Sequence, residues 1–278
     1  MGTCIYCGKP AGIFRKKHRE CAEKRNQGWN ELIRIAIEAA IGTYPLEDVN
    51  SRSAAIAENS FLSSSEIREA LVAGWEKAVE HFLEDGNLDP QEETRLVAFA
   101  EHFELSQEDL DKNGAYTQFV KGLVLRDLME GKIPERFRPI GQLPFNFQRK
   151  EKLIWAFNDV MYYEDRTRRR YTGGSRGVSI RIAKGVYYRV GSFRGHPIET
   201  TERIHVDTGI LAVTTKHLYF YGPRKSFRIR FDKIVSFTPY SDGIGIQRDA
   251  ATAKPQIFVT GDGWFTYNLL VNLSNLEN

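Results

Sequence analysis

The sequence predicts a multidomain α+β protein. Three observations carry that prediction: a Cys/His cluster confined to the first 21 residues, a helical apolar period through the middle, and a strand period of two after residue 145. The expected order is a small metal knuckle over 1–28, an all-α helical bundle over 29–135, a linker over 136–144, and an antiparallel β-barrel or sandwich with a C-terminal helix over 145–278.

The knuckle rests on Cys4, Cys7 and Cys21, the only three cysteines of the 278-residue chain, with His18 completing a Cys-x2-Cys-x10-His-x2-Cys pattern. Two close pairs of thiolate and imidazole donors suit the tetrahedral preference of Zn²⁺ and leave no coordination position for substrate. The expected cofactor is one structural Zn²⁺ on Cys4, Cys7, His18 and Cys21. Gly8 permits the tight turn that aims amides at the sulfurs, and Ile13 and Phe14 are expected to form an apolar floor. The competing reading is free reduced thiols without a metal. A disulfide would leave one cysteine over, and no secretory leader is read ahead of the cluster, so a reducing cytoplasmic compartment is expected. Lys9, Arg15, Lys16, Lys17, Arg19, Lys24 and Arg25 surround the ligands, either lowering thiol pKa, touching phosphate, or forming a solvated basic face.

In the middle segment, Leu32, Ile33, Ala36, Ile37 and Ala40 line a first helix from Trp29, stopped by Gly42 and Pro45. Residues 47–65 read as polar and Ser-rich, with Ser65 the N-cap of a helix that buries Leu71, Trp75, Val79 and Phe82. Asp89 caps a helix with Pro90 at its first position, Ser106 caps a short one through Leu110, and Gly114 precedes a helix over 115–130 that buries Phe119, Val120, Leu123, Val124 and Leu128.

Beyond the proline-rich linker, Ser179–Ile182, Val186–Val190, Leu218–Tyr221, Ser226–Phe231 and Gln256–Val259 alternate as strands. Gly173-Gly174, Gly222-Pro223, Asp242-Gly243 and Gly261-Asp262-Gly263 supply the expected turns, and Trp264, Tyr267, Leu270 and Val271 return to helical spacing.

The net charge of +3 conceals +5 over 1–29, −13 over 30–135 and +11 over 136–278. Such asymmetry implies separate surfaces with separate partners, and equally permits the acidic segment to dock on the basic one. No apolar run approaches the roughly 18 residues of a membrane span, so no transmembrane segment is expected.

Residues 70–131, with Glu84-Asp85-Gly86-Asn87-Leu88-Asp89-Pro90-Gln91-Glu92-Glu93 between two helices and Leu105-Ser106-Gln107-Glu108-Asp109-Leu110 after them, resemble TerB-like domains of bacterial tellurite-resistance proteins. The resemblance implies a helical bundle used in stress-response assemblies, with a suggested acidic metal site. Asp85, Asn87 and Asp89 match an EF-hand loop at its first, third and fifth positions, but Pro90 and Leu96 occupy the places of its Gly and Glu. Two readings stay open: Asp89 and its neighbours cap a helix, or Asp85, Asp89, Glu92 and Glu93 hold a second divalent metal weakly.

Residues 207–222, Asp-Thr-Gly-Ile-Leu-Ala-Val-Thr-Thr-Lys-His-Leu-Tyr-Phe-Tyr-Gly, look like the central strands of a bacterial PH-like or GRAM-like domain, with extra length between Glu151 and Val206. That resemblance implies a phosphate- or lipid-binding loop between the first two strands, where Arg166, Arg168, Arg169, Arg170 and Arg176 stand beside two glycines. A protein-facing surface is the alternative.

No phosphate-binding loop, nucleophile elbow or zinc-protease motif occurs, and the six histidines form no triad, with His205 and Asp207 the nearest pair. The expected function is that of a non-enzymatic bacterial adaptor or scaffold binding protein partners in stress response or defence. Two alternatives are nucleic-acid binding through the basic knuckle and arginine cluster, and recruitment to an anionic membrane surface through the PH-like unit.

Overall fold

The computed structural model describes residues 2–12, 14–84, 86, 88–139, 141–183, 186–250 and 253–276, with the backbone alone over 166–183 and 186–201. It is mixed α+β and divides into two compact units, Met1–Phe137 and Arg138–Asn278. No helix among the described residues is long and apolar enough to cross a membrane.

The first unit opens with a two-stranded hairpin, β1 (Gly2–Thr3) against β2 (Pro10–Gly12), followed by six helices: α1 (Arg19–Ala40), α2 (Leu46–Ser60), α3 (Ser64–Phe82), α4 (Pro90–His102), α5 (Gln107–Leu110) and α6 (Ala115–Met129). α1 begins ten residues before the expected start at Trp29, so the boundary expected at residue 28 falls inside it. Its buried face is Gly28, Leu32, Ile35, Ala36, Ala39 and Ala40, which leaves the expected Ile33 and Ile37 half-buried.

α2 replaces much of the expected polar stretch. Its inward face is Val49, Ser53, Ile56, Ala57 and Ser60, a helical stripe built of small and polar residues that gives little apolar contrast. The cap of α3 is Ser63 and not Ser65. The Ser63 amide donates to the Glu66 carboxylate at 2.9 Å and the Glu66 amide to the Ser63 hydroxyl at 3.4 Å, so the position of the glutamate selects among three serines. α1 and α3 touch backbone to backbone at Gly74, where a Cβ would lie 2.3 Å from that of Ala36. Trp75 is buried at the centre and donates its indole N–H to the Leu96 carbonyl at 3.0 Å.

The second unit is a seven-stranded antiparallel sheet with one helix. Its strands are β3 (Leu153–Ala183), β4 (Val186–Thr214), β5 (His217–Tyr221), β6 (Ser226–Arg230), β7 (Ile234–Pro239), β8 (Gly243–Arg248) and β9 (Gln256–Val259), with a 3-10 turn over Phe231–Lys233 and α7 over Gly263–Leu276. The order is β6-β5-β4-β3-β9-β8-β7, so β6 and β7 are ends and the sheet is not closed into the expected barrel. On one face, Trp155 and Phe157 pack on Phe265 of α7 at ring distances of 4.9 and 6.0 Å.

Gly173 and Gly174 do not turn the chain. They pair with Gly195 and Arg194 inside the β3–β4 ladder, since glycine permits a turn without requiring one. β9 covers only Met161–Glu164 of β3, and β5 covers only Ile210–Val213 of β4. From residue 166 to 183 the hairpin therefore continues as a two-stranded ribbon, about 60 Å at about 3.3 Å per residue. The extra length between Glu151 and Val206 is this ribbon.

Candidate metal centre

Cys4 and Cys7 flank a turn closed by the Gly8 amide on the Cys4 carbonyl at 2.9 Å, with Gly8 at a φ of 69° as the tight turn requires. The Cys4 amide donates to the Lys9 carbonyl at 2.8 Å and the Ile5 amide to that of Lys16 at 2.9 Å, which ties the turn to the chain leading into α1. His18 is the N-cap residue of α1, and Cys21 lies in its first turn. His18 offers α1 no side-chain cap because its ring turns to the cysteines.

One donor atom from each of Cys4, Cys7, His18 and Cys21 lies within 4.8 Å of all the others. Nδ1 of His18 is 3.3 Å from the Cys7 sulfur and 3.7 Å from that of Cys21. The edges of a tetrahedron with metal–sulfur bonds of 2.3 Å are about 3.8 Å, so the four side chains can hold a metal ion. The three cysteines form no disulfide.

His18 Nε2 donates to the Pro10 carbonyl at 3.0 Å, which leaves Nδ1 as the ligand nitrogen. The same bond, with Cys7 beside the ring, raises the His18 pKa. Burial opposes ionisation of Cys4, but amides of Cys7, His18 and Tyr6 outweigh it and bring the thiol down to about 6. Burial, with Cys7 and Cys4 as neighbours, lifts Cys21 to about 11. Three thiolates so close repel one another, and a divalent cation between them would allow all three to ionise.

The knuckle is fastened to the helices through Tyr6, which stacks on Phe61 at 6.1 Å. The Arg25 guanidinium lies 5.1 Å over the Tyr6 ring and donates to the Phe61 carbonyl and the Glu66 carboxylate. Phe14 does not join the expected apolar floor, being fully exposed, and Ile13 lies outside the described residues.

The acidic candidates are placed otherwise. Asp89 accepts from the Gln91 and Glu92 amides at 2.6 and 2.8 Å while Glu92 accepts from the Asp89 amide at 2.8 Å, a reciprocal cap on α4. Glu93 binds Arg126 and, at 2.8 Å, Arg136. Asp85 lies outside the described residues. Arg166, Arg168, Arg169, Arg170 and Arg176 fall on β3, opposite Glu202, Thr200, Glu199, Ile198 and Ser192, and not in a loop; their side chains lie outside the description. His205 and Asp207 are not joined, since His205 meets Thr208 at 2.9 Å and Asp207 accepts from the Arg224 and Lys225 amides, both at 2.7 Å.

One cluster escaped the sequence reading. Glu151 has no exposed side-chain surface, lies 2.8 Å from His217 Nδ1, and accepts from the Tyr219 hydroxyl at 2.8 Å, the Gln148 amide at 2.9 Å and Thr214. Burial opposes its ionisation, yet these donors hold its carboxyl below the ordinary value. Nothing local marks it, since its partner His217 lies 66 positions away. No family model matches the chain, and no curated protein matches it either.

Proposed function

We propose that the protein is a non-catalytic adaptor of bacterial type that presents a zinc-stabilised knuckle on a TerB-like helical bundle, carries a PH-like sheet unit, and binds protein partners in stress response or defence. The observation that carries this reading is the four-donor cluster seated on the helices through Tyr6, Phe61 and Arg25. Four protein ligands fill a tetrahedral zinc site, so the metal would organise a surface and take no substrate. The reciprocal caps at Asp89 and Ser106 on either side of α4 support the TerB-like reading. Four strands, then three, then a closing helix support the PH-like one.

The test is affinity purification of the tagged chain from its native cell beside a Cys4→Ser/Cys7→Ser variant. Partners recovered with the parent chain and lost with the variant support the adaptor. Turnover of a substrate by the purified protein, abolished by a point substitution, overturns it.

A second reading, nucleic-acid binding, draws on the β3–β4 ribbon: residues 166–183 and 186–201 carry a net charge of +7 along a ladder. Two-stranded ribbons fit the major groove of duplex DNA. This reading expects affinity for duplex DNA that falls steeply with salt, and DNA binding that is absent or indifferent to salt rejects it.

A further inference from the structure

We propose that the gap between the two ends of the sheet is a binding site for a phosphate-bearing anion. A cleft of about 620 Å³ is lined by Lys216, Arg228, Arg230, Lys233 and Arg248, with His217 in its wall. These residues come from the β4–β5 turn, the end strand β6, the 3-10 turn and the end of β8, next to the other end strand β7. The cleft therefore lies where the sheet does not close. It is separate from the arginines of the β3–β4 ribbon.

Among the described residues most of the charge in this cleft is unmatched by carboxylates. No carboxylate among the described residues lines the cleft, and Arg230 pairs with Asp232 at 2.8 Å, both side chains being exposed. Lys216, Arg228, Lys233 and Arg248 have no carboxylate partner among the described residues, and Arg228 is hydrogen-bonded to the neutral Tyr219 hydroxyl. The nearby Glu151 makes no direct contact with them: its oxygens accept from Gln148, Thr214, His217 and Tyr219. Cations on an end strand commonly serve to block edge-to-edge pairing, which would account for Arg228 and Arg230. It does not account for Lys216, Lys233 and Arg248, which belong to other elements and face the same space.

Cations converging from four elements suit an anion with several oxygens, and guanidinium groups bind phosphate in bidentate fashion. The volume falls in the range of small-molecule sites, about 300–1,000 Å³. Soluble phosphorylated compounds and phosphorylated lipid headgroups share this chemistry.

The test uses the full chain, titrated calorimetrically with inorganic tripolyphosphate and, in a second arm, floated with phosphatidylcholine vesicles with and without a phosphoinositide. Arg228→Gln/Arg248→Gln alters two exposed side chains, and circular dichroism checks that the variant folds. The proposal expects tripolyphosphate binding that the variant weakens by about tenfold or more. Vesicle flotation that also depends on both residues assigns a headgroup, and its absence a soluble ligand. Failure of the parent chain to bind tripolyphosphate, equal binding by the variant, or binding confined to oligonucleotides and unaffected by the variant overturns it.

Discussion

The Nε2 atom of His18 lies 3.0 Å from the carbonyl oxygen of Pro10, and this contact selects the nitrogen that faces the three cysteines. Pro10 starts β2, so the short hairpin orients the ring while α1 supplies His18 and Cys21. A metal here would hold together two elements that share little apolar core, and its binding energy would be folding energy for the knuckle.

Substitution at His18 follows from that geometry. His18→Cys keeps four donors and is expected to retain the metal, while His18→Ala is expected to lower affinity by at least about 10–100-fold, the range seen when even an outer partner of a ligand is removed. Competition against a chromophoric chelator measures both.

Gly74 sets the spacing of α1 and α3. A Cβ there meets Ala36 Cβ at 2.3 Å and the Ala36 carbonyl carbon at 2.8 Å, neither of which belongs to a flexible side-chain end. Gly74→Ala is expected to cost about 1–3 kcal/mol by overpacking, read from urea unfolding. The better helix propensity of alanine, about 1 kcal/mol, offsets part of this.

Removing Glu151 leaves His217, Tyr219 and Thr214 without their shared acceptor in a buried place. Glu151→Ala is expected to destabilise the sheet unit by about 3–5 kcal/mol, with Glu151→Gln costing less because it keeps one acceptor oxygen. Thermal unfolding followed by tryptophan fluorescence distinguishes the two.

Acid is expected to weaken the helical unit. The Ser63 amide leads the contacts that depress Glu66 against an opposing burial effect, and Arg68 leads those that hold Asp109 well below the carboxylate range. A carboxyl depressed in the folded state adds stability above its unfolded pKa, about 4, and loses it as pH falls through the folded value. The melting temperature should therefore hold above about pH 5 and decline below pH 4. Glu66→Gln should flatten that decline, and an unchanged profile contradicts the linkage.

What could be read in the sequence depended on contrast. α3 was legible because Leu71, Trp75, Val79 and Phe82 are large and spaced on one face, and the caps at Asp89 and Ser106 because cap chemistry is local. α2 was not, because its buried face includes Ser53, Ala57 and Ser60. The ribbon was hidden by Gly173 and Gly174, which read as a turn until a partner strand paired with them. Spacing identified all four side chains of the Cys/His cluster. It could not show the Tyr6–Phe61 anchor or the Glu151–His217 pair, which exist only once distant segments have folded together.

The proposed function rests on a structural zinc ion held by Cys4, Cys7, His18 and Cys21. X-ray absorption at the zinc edge, on protein purified without added metal, tests it most directly. One zinc per chain is expected, with three sulfur neighbours at about 2.3 Å and one nitrogen at about 2.0 Å, lost in Cys4→Ser/Cys7→Ser. Protein that folds free of zinc, or zinc bound chiefly by oxygen and kept by that variant, would contradict it.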